Sequence, residues 1–268
     1  QMPSLVSNLK AEGYSGNKAM HPFNPYNYNR PAVYKDFGFT DFIDKFDFPK
    51  NVKRVREYIS DEANVDRIIS EYEKNRKKTD QPFYMYNMTI QNHSPYDKDA
   101  ANFKQPIKIE SSKYDAEANR YLNLIKYSDD SLKQLTGYFE KCKEPTIILF
   151  LGDHQPRLTD EFMNKITNGQ YQTWSSEQMM KRYQVPFVIW ANYDIKEQHI
   201  EKTSMNYIQS ILTKTAGVKM TGYQRFLNEV RKEVPTITSQ GYWGKNGKFY
   251  QILWYNTEVS YDSVQYDV

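Results

Sequence analysis

Residues 145–151 constrain the fold more than any other segment of the chain. They read Pro-Thr-Ile-Ile-Leu-Phe-Leu and are followed by Gly152 and two polar residues. A short, nearly all-apolar run of this kind is typical of a β-strand that is covered on both faces. Residues 82–90 and 185–190 have the same character, and residues 15–20 are a weaker strand candidate. The sequence therefore predicts several strands, most of them buried.

Helical patterns separate these strands. Apolar residues recur at helical spacing in the segments 61–77, 116–142, 205–215 and 223–230. Strands that alternate with helices favour an α/β fold with a largely parallel sheet and helices on both faces. Residues 22–30, rich in Pro, Asn and Tyr, predict a loop. Residues 241–268 are assigned loosely to a turn, a short strand and a tail, and residues 1–268 to one domain.

Composition argues against two kinds of partner. The net charge is only +3 and no basic run carries interleaved aromatic residues, so no nucleic-acid partner is expected. No segment approaches the ~18 to 20 apolar residues of a membrane span, so this chain is expected to be soluble. The single cysteine, Cys142, excludes an intrachain disulfide and a cysteine-based zinc site.

Chemically versatile side chains follow the predicted strands. His21, His93 and the pair Asp153 and His154 each come after one of them. Ligands of open α/β sheets bind at the carboxyl ends of the strands, so we expect these side chains at one site. His199, the remaining histidine, lies in a charged segment and is expected at the surface.

Asp153 and His154 are the candidate metal ligands. A carboxylate and an imidazole at a strand end offer oxygen and nitrogen ligands to a divalent ion such as manganese, zinc or magnesium. The alternative is an Asp that caps a helix beside a packed His. Two ligands are fewer than the three protein ligands of a usual catalytic metal site.

Two further residues could bind an anionic ester. The imidazole of His93 could bind a non-bridging oxygen or protonate a leaving group. The guanidinium of Arg30 suits phosphate and sulfate oxygens, and the flanking Tyr26 and Tyr28 could wall a small polyol or sugar. Taken singly, each has a structural alternative: a hydrogen-bonded His in a turn, and a surface Arg in a tyrosine-rich loop.

Taken together, these segments resemble the lipoteichoic acid synthase (sulfatase-like) family of the alkaline phosphatase superfamily. His21 and Arg30 keep the family's spacing of nine residues between a His and the Arg of a Trp-Asn-Arg-like element. Residues 92–96, Asn-His-Ser-Pro-Tyr, resemble its NHxPY element, and residues 150–156 resemble its Gly-Asp-His metal motif. Residues 185–190 resemble the strand that follows. The chain is similar to the C-terminal part of the family's enzyme domain.

The resemblance implies an alkaline phosphatase-like fold and a metal-dependent enzyme of the cell envelope. Such an enzyme transfers or hydrolyses phosphate (phosphoglycerol) or sulfate esters, so the implied partners are a phosphoglycerol lipid, a polymer or a sulfate-ester substrate. Asp153 and His154 would bind a divalent metal, manganese in the first place, with magnesium, zinc or calcium as alternatives. The implied substrate-binding residues are His21, Tyr28, Arg30 and His93, of which His93 is also catalytic.

The chain also departs from the family pattern. Tyr28 replaces a frequent Trp, and Phe23 stands where lipoteichoic acid synthases carry an acid, which weakens the case for glycerol phosphate as substrate. The family's remaining Glu ligand and its Thr nucleophile, which forms a covalent intermediate, lie upstream of the segment matched here. We therefore expect an incomplete metal site and no activity from this chain alone. Full-length members are anchored in the membrane by their N-terminal region, so an extracytoplasmic location is expected.

Two alternatives remain open. Within the enzymes, a plain sulfatase or phosphodiesterase is the nearest rival. A different class is a non-catalytic module that binds an anionic glycan or polymer along its tyrosines. The joint presence of Asp153, His154, His93 and Arg30 favours the enzyme, because a binding module has no need for those residue types at those places.

Overall fold

The computed structural model describes residues 3–110 and 114–252. The α-helices in these ranges are Leu5–Ala11 (α1), Arg30–Phe37 (α2), Asp61–Arg76 (α3), Ala116–Phe139 (α4), Asp160–Thr167 (α5), Ser176–Met179 (α6), Met205–Thr215 (α7) and Gly222–Glu233 (α8). The β-strands are Ser15–Met20 (β1), Asp41–Ile43 (β2), Arg54–Val55 (β3), Tyr58–Ile59 (β4), Phe83–Asn87 (β5), Ile147–Leu151 (β6), Phe187–Ala191 (β7), Thr236–Ile237 (β8), Gly241–Trp243 (β9) and Phe249–Gln251 (β10).

Strands β1, β2 and β5 form a parallel sheet in the order β2-β1-β5. Ala19 of β1 lies opposite Phe42 on one side and Tyr86 on the other. Helix α1 contacts β1, α2 contacts β2 and α3 contacts β5. Ala19 and Met20 are fully buried as a result. The predicted α/β class with a parallel sheet and helices is confirmed.

Strands β6 and β7 pair antiparallel, with Leu151 opposite Phe187. The expectation of parallel pairing is therefore wrong for these two strands. A parallel pair needs a connection that crosses the sheet. The segment between β6 and β7 instead begins and ends at the same end of the strand pair. Gln155 helps to close this segment, because its amide nitrogen donates to the carbonyl oxygens of Lys181 at 2.7 Å and Gln184 at 2.9 Å.

Only one face of the β6–β7 pair is well covered by described residues. On that face Leu149 and Ile189 pack against the buried cluster of α7 and α8. On the other face Phe150 and Val188 stay 38% and 45% exposed and line a groove of about 240 Å³ beside α4. The prediction that β6 is covered on both faces is wrong for the described part of the chain.

The segment 22–30 is not all loop. A 3-10 turn, Asn27–Asn29, leads directly into α2, which begins at Arg30 and has a proline in its first turn. Proline fits there because it lacks the N–H that a first turn leaves unpaired.

The longer helices begin at conventional caps, Ser60 for α3 and Asp115 for α4, whose side chains each accept a backbone N–H.

Strands β8, β9 and β10 form a small antiparallel sheet in the order β10-β9-β8, and β3 and β4 form a separate antiparallel hairpin. The three-stranded sheet accounts for the turn and short strand expected after residue 241, and residues 253–268 of that assignment lie outside the described residues. Across the described ranges, no helix is both long enough and apolar enough to cross a membrane.

Candidate active site

The carboxyl ends of β1, β5 and β6 carry the residues that the sequence singled out. His21 directly follows β1, and its backbone N–H donates to the carbonyl oxygen of Ile43 at 2.9 Å. On the other side of β1, the N–H of Met88 donates to the carbonyl oxygen of Met20 at 2.9 Å. The parallel ladder thus continues past its last residues and fixes the backbone from which His21 projects.

His21 is a buried, neutral imidazole. Its side chain is 2% exposed, and Nδ1 lies 3.0 Å from the carbonyl oxygen of Met88. A carbonyl can only accept, so Nδ1 carries the proton and Nε2 presents a lone pair. Burial lowers the pKa of His21 to about 4; the charges of Arg30 and His93 act in the same direction, and that of Asp153 opposes it. These three groups therefore lie within electrostatic range of His21.

Arg30 stands at the start of α2, behind two strained residues. Tyr28 and Asn29 have φ values of 57° and 49°, a left-handed conformation that costs a non-glycine residue about 1 kcal/mol or more. The guanidinium of Arg30 lies 5.0 Å over the ring of Tyr28, and its Nη1 donates to the carbonyl oxygen of Asn27 at 3.1 Å. Tyr28 itself is 81% exposed, so this turn presents an aromatic ring beside a cation.

His93 lies in the loop after β5 and is exposed. Its Nδ1 lies 2.8 Å from the carbonyl oxygen of Ser94, which assigns the proton of the neutral ring to Nδ1 and leaves the lone pair on Nε2. The ring packs edge-on against Tyr58, with centroids 6.3 Å apart. The turn contact that was the structural alternative is present, and the imidazole remains accessible beside it.

Asp153 and His154 lie where β6 stops, and both side chains are about two-thirds exposed, 67% and 69%. Oδ1 of Asp153 accepts the N–H of His154 at 2.9 Å, and Nδ1 of His154 contacts the carbonyl oxygen of Gln155 at 2.9 Å. The alternative of a helix cap beside a packed His is wrong, because Thr159 caps the next helix, α5. Nε2 of His154 and Oδ2 of Asp153 lie 3.6 Å apart, which suits two ligands of one ion.

These two residues fit part of a divalent-metal site. Carboxylate oxygen and imidazole nitrogen are suitable ligands for manganese or zinc, and the tautomer of His154 leaves Nε2 as the donor atom. Among residues 3–110 and 114–252, no group of three or more His, Cys, Asp or Glu side chains is arranged to hold a metal. The described residues therefore provide two candidate ligands.

Gly152 shapes the chain just before these ligands. A Cβ at this position would lie 3.1 Å from Cβ of Val185, and the N–H of Gly152 donates to the carbonyl oxygen of Pro186 at 3.1 Å. The start of β7 therefore approaches the end of β6 closely, and a side chain at position 152 would require Val185 to shift.

Tyr86 is a site residue that the sequence did not reveal. Burial and then Tyr34 raise its pKa to about 12; the charge of Asp153 acts in the same direction, and that of Arg30 opposes it. Tyr86 thus lies within electrostatic range of both the candidate metal ligand and the candidate anion-binding Arg. Its strand pairing opposite Ala19, two residues before His21, gives this position, and no sequence motif does.

The sequence profile of the Sulfatase family matches residues 1–218. The chain belongs to the sulfatase family. It is 31% identical over 255 residues to the Rhizobium meliloti "Putative cyclic beta-1,2-glucan modification protein", which covers 92% of this chain and 38% of that relative. It is 28% identical over 160 residues to the Bacillus subtilis "Lipoteichoic acid synthase-like YvgJ", which covers 58% of this chain and 24% of that relative. The chain thus spans well under half the length of either relative, and the resemblance to lipoteichoic acid synthases is confirmed.

Solved structures confirm the alkaline phosphatase-like fold. The Streptococcus pyogenes phosphoglycerol transferase GacH in complex with sn-glycerol-1-phosphate superposes with a TM-score of 0.64 at 20% identity, covering 88% of this chain and 61% of that one. The C-terminal periplasmic domain of EcEptC from Escherichia coli, in complex with zinc, superposes with a TM-score of 0.56 at 14% identity, covering 83% of this chain and 64% of that one. Both likenesses concern the fold.

Proposed function

We propose that this chain forms part of one metal-dependent enzyme domain that transfers or hydrolyses phosphate esters of a cell-envelope polymer. The observation that carries the proposal is that Arg30, His93 and Asp153 all lie within electrostatic range of the buried, neutral His21. Two cation-forming groups and a candidate carboxylate metal ligand near the carboxyl ends of β1, β5 and β6 suit an anionic ester bound against a divalent ion.

The protonation state of each side chain determines the role that we propose for it. Arg30 binds non-bridging oxygens, because its guanidinium keeps its charge and offers a fork of N–H donors. His21 accepts a hydrogen bond from a hydroxyl of the substrate, because its proton is committed to Met88 and Nε2 has only a lone pair. His93 takes or gives a proton at Nε2 during ester transfer, because its Nδ1 proton is committed to Ser94.

Asp153 and His154 hold the metal. Manganese is the first candidate, with magnesium, zinc or calcium as alternatives, and a bound ion would supply Lewis-acid polarisation of the ester. By the family resemblance, a further Glu ligand and the Thr nucleophile of a two-step transfer are expected from sequence outside these 268 residues. We therefore expect the chain by itself to be inactive, and the longer protein to work outside the cytoplasm on a membrane anchor.

The substrate we favour is a phosphoglycerol donor with a glucan acceptor. A phosphoglycerol transferase shares the fold, and the name of the Rhizobium relative points to a glucan as the molecule modified. The exposed ring of Tyr28 beside Arg30 can pack on the carbon skeleton of glycerol or a sugar while the guanidinium holds the phosphate.

The decisive experiment measures metal binding and ester turnover on the longer protein that contains this chain. Titration with Mn²⁺ and turnover of bis-(p-nitrophenyl) phosphate and p-nitrophenyl sulfate are compared for the unmodified protein, Asp153→Asn and the control Asp194→Asn. Asp194 is exposed and follows β7, at the opposite end of the β6–β7 pair. We expect Asp153→Asn to abolish phosphodiester turnover and tight Mn²⁺ binding, and the control to keep both.

Other outcomes replace the proposal by a named alternative. Turnover of the sulfate ester alone would make the protein a sulfatase. Failure of the unmodified protein to bind metal and to turn over either ester, with retained binding of an anionic glycan, would leave a non-catalytic binding module.

A further inference from the structure

We propose that Arg56 is the positioning residue of His93: its buried guanidinium holds the loop 91–95 in the conformation that presents the imidazole. This inference rests on the proposed role of His93 in ester transfer. Arg56 lies in the two-residue turn between β3 and β4, and neither its position nor its residue type singles it out in the sequence.

The backbone of Arg56 is strained, and the surrounding contacts hold the strain in place. Its φ is 53°, the left-handed region in which hairpin turns favour Gly, Asn or Asp. The N–H of Arg56 donates to Oδ1 of Asn102 at 3.1 Å, and Nδ2 of Asn102 donates back to the carbonyl oxygen of Arg56 at 2.9 Å. Two hydrogen bonds with the side-chain amide of Asn102 thus fix the backbone of the turn that carries the Arg56 side chain.

The guanidinium ends on three carbonyl groups of the His93 loop. Nη2 donates to Gln91 at 2.6 Å and to His93 at 2.8 Å, and Nη1 donates to Pro95 at 2.5 Å. One of the three acceptors belongs to His93 itself, and the other two belong to residues before and after it in the sequence. The planar guanidinium presents its N–H groups in fixed directions, whereas the three N–H groups of a lysine ammonium are tetrahedral and lie on a flexible chain, so lysine is a poor substitute here.

Two aromatic rings contact the guanidinium. It lies 5.2 Å from the ring centroid of Tyr58 and 5.6 Å from that of Tyr96, within the range of a cation–π contact. Tyr58 also packs edge-on against the ring of His93 and donates its hydroxyl to Ser94 at 3.0 Å. Arg56 and His93 therefore both contact Tyr58, and Arg56 also binds the loop that carries His93. A displacement of Arg56 is thus expected to displace His93.

Removing the fork takes the Arg56 donors from the buried carbonyl oxygen of Gln91 and from the partly buried ones of His93 and Pro95, which favours a different path for the loop. The loop joins β5 to the segment before α4, and its side chains Gln91 and Asn92 are tied separately to Asp61 and Ser128. These side-chain ties keep the loop attached to the protein when Arg56 is replaced. The expected change is thus local, in the orientation and mobility of His93, with the fold retained.

The test uses Arg56→Lys and Arg56→Gly, with Arg54→Lys as the matched control. Arg54 lies in the same hairpin and is exposed, and its Nη1 donates to the carbonyl oxygen of Glu57 at 2.9 Å. Lysine keeps the charge without the fork, and glycine relieves the left-handed strain without any donor, so at least one variant should fold. The imidazole NMR signals of the chain are read first, because it has only four histidines and His93→Gln assigns the one of interest.

We expect both Arg56 variants to shift or broaden the imidazole signal of His93. The chemical shifts of the other histidines should stay within experimental error. In the longer protein, kcat should fall at least tenfold while KM for the phosphodiester changes less than threefold, and Arg54→Lys should match the unmodified protein. A folded Arg56 variant with an unchanged His93 signal would overturn the inference. A moved His93 signal together with full activity of His93→Gln would retain the positioning by Arg56 and remove the catalytic role proposed for His93.

Discussion

Asp61 is a buried carboxylate whose ionisation the fold opposes. It is 3% exposed and lies in the first turn of α3, where Oδ2 accepts Ser128 Oγ at 2.6 Å and Gln91 Nε2 at 3.3 Å. Oδ1 has no hydrogen-bond partner among residues 3–110 and 114–252. Burial therefore raises the pKa of Asp61 to about 6, although the hydrogen bond from Ser128 opposes the shift.

The shift sets the size and sign of a pH effect on stability. The pKa rises from 3.8 to about 6 on folding, and each pKa unit is worth about 1.4 kcal/mol, so the ionised form destabilises the fold by about 3 kcal/mol. Because the folded pKa is above the unfolded one, Asp61 costs nothing below pH 3.8. The cost develops as the pH rises from about 4 to about 6.

His21 acts in the opposite direction over nearly the same range. Its pKa falls from 6.5 to about 4 on folding, so the stability present above pH 6.5 is lost as the pH falls towards 4, again by about 3 kcal/mol. The two effects nearly cancel in the unmodified chain. We therefore expect its free energy of unfolding to change little between pH 4 and pH 6.5.

The variant Asp61→Asn removes one of the two effects and exposes the other. Urea unfolding of the unmodified chain and of Asp61→Asn is followed at half-unit steps from pH 4 to pH 7. The variant should lose about 3 kcal/mol as the pH falls through this range, while the unmodified chain stays nearly flat. Because the asparagine amide would have an unpaired N–H where Oδ1 now lies, we expect the variant to be the less stable one at pH 4. Parallel curves for the two proteins would refute the raised pKa of Asp61.

Three further predictions concern stability. Glu71 is 3% exposed and ion-paired with three basic side chains; burial alone would raise its pKa, but these partners hold it at about 2. We expect Glu71→Gln to cost about 3 kcal/mol in urea unfolding at pH 7, and less as the pH falls from 4.5 towards 2, where the native carboxylate is also lost. Gly152→Ala should cost about 1 kcal/mol through its contact with Cβ of Val185; a neutral variant would contradict the close approach. Asn192 accepts the N–H of Thr146 at 2.7 Å and donates to three carbonyl oxygens at the end of α4 and the start of β6. Asn192→Ala should therefore cost about 3 kcal/mol in calorimetric unfolding. An unchanged melting temperature would show that these hydrogen bonds of Asn192 do not stabilise the fold.

Sequence reasoning located the strands because local composition decides which segments can be buried. The apolar run of β6 and the aromatic-rich run of β5 were both recognised, and the residues that follow them were identified as candidate ligands. The match of the Sulfatase family profile to residues 1–218 supports the same reading of the motifs. Helices with clear apolar spacing and a capping side chain, such as α3 and α4, were also found near their observed bounds.

Strand direction was decided by the tertiary structure. The run of β7 has the same apolar character in either direction, so nothing local distinguishes a parallel from an antiparallel neighbour of β6. The outcome depends on where the segment between the strands packs. Gln155, by hydrogen bonding to Lys181 and Gln184, keeps that segment at one end of the pair.

The sequence by itself determined the family, the strand-end motifs and the identity of the candidate ligands Asp153 and His154. Only the tertiary structure decided that His21 is buried and neutral, that Tyr86 lies within electrostatic range of Asp153 and Arg30, and that Arg56 holds the His93 loop. The physical reason is that protonation state and loop position depend on burial and on partners distant in sequence. A motif records which groups are available, and packing decides which of them are desolvated, paired and placed against one another.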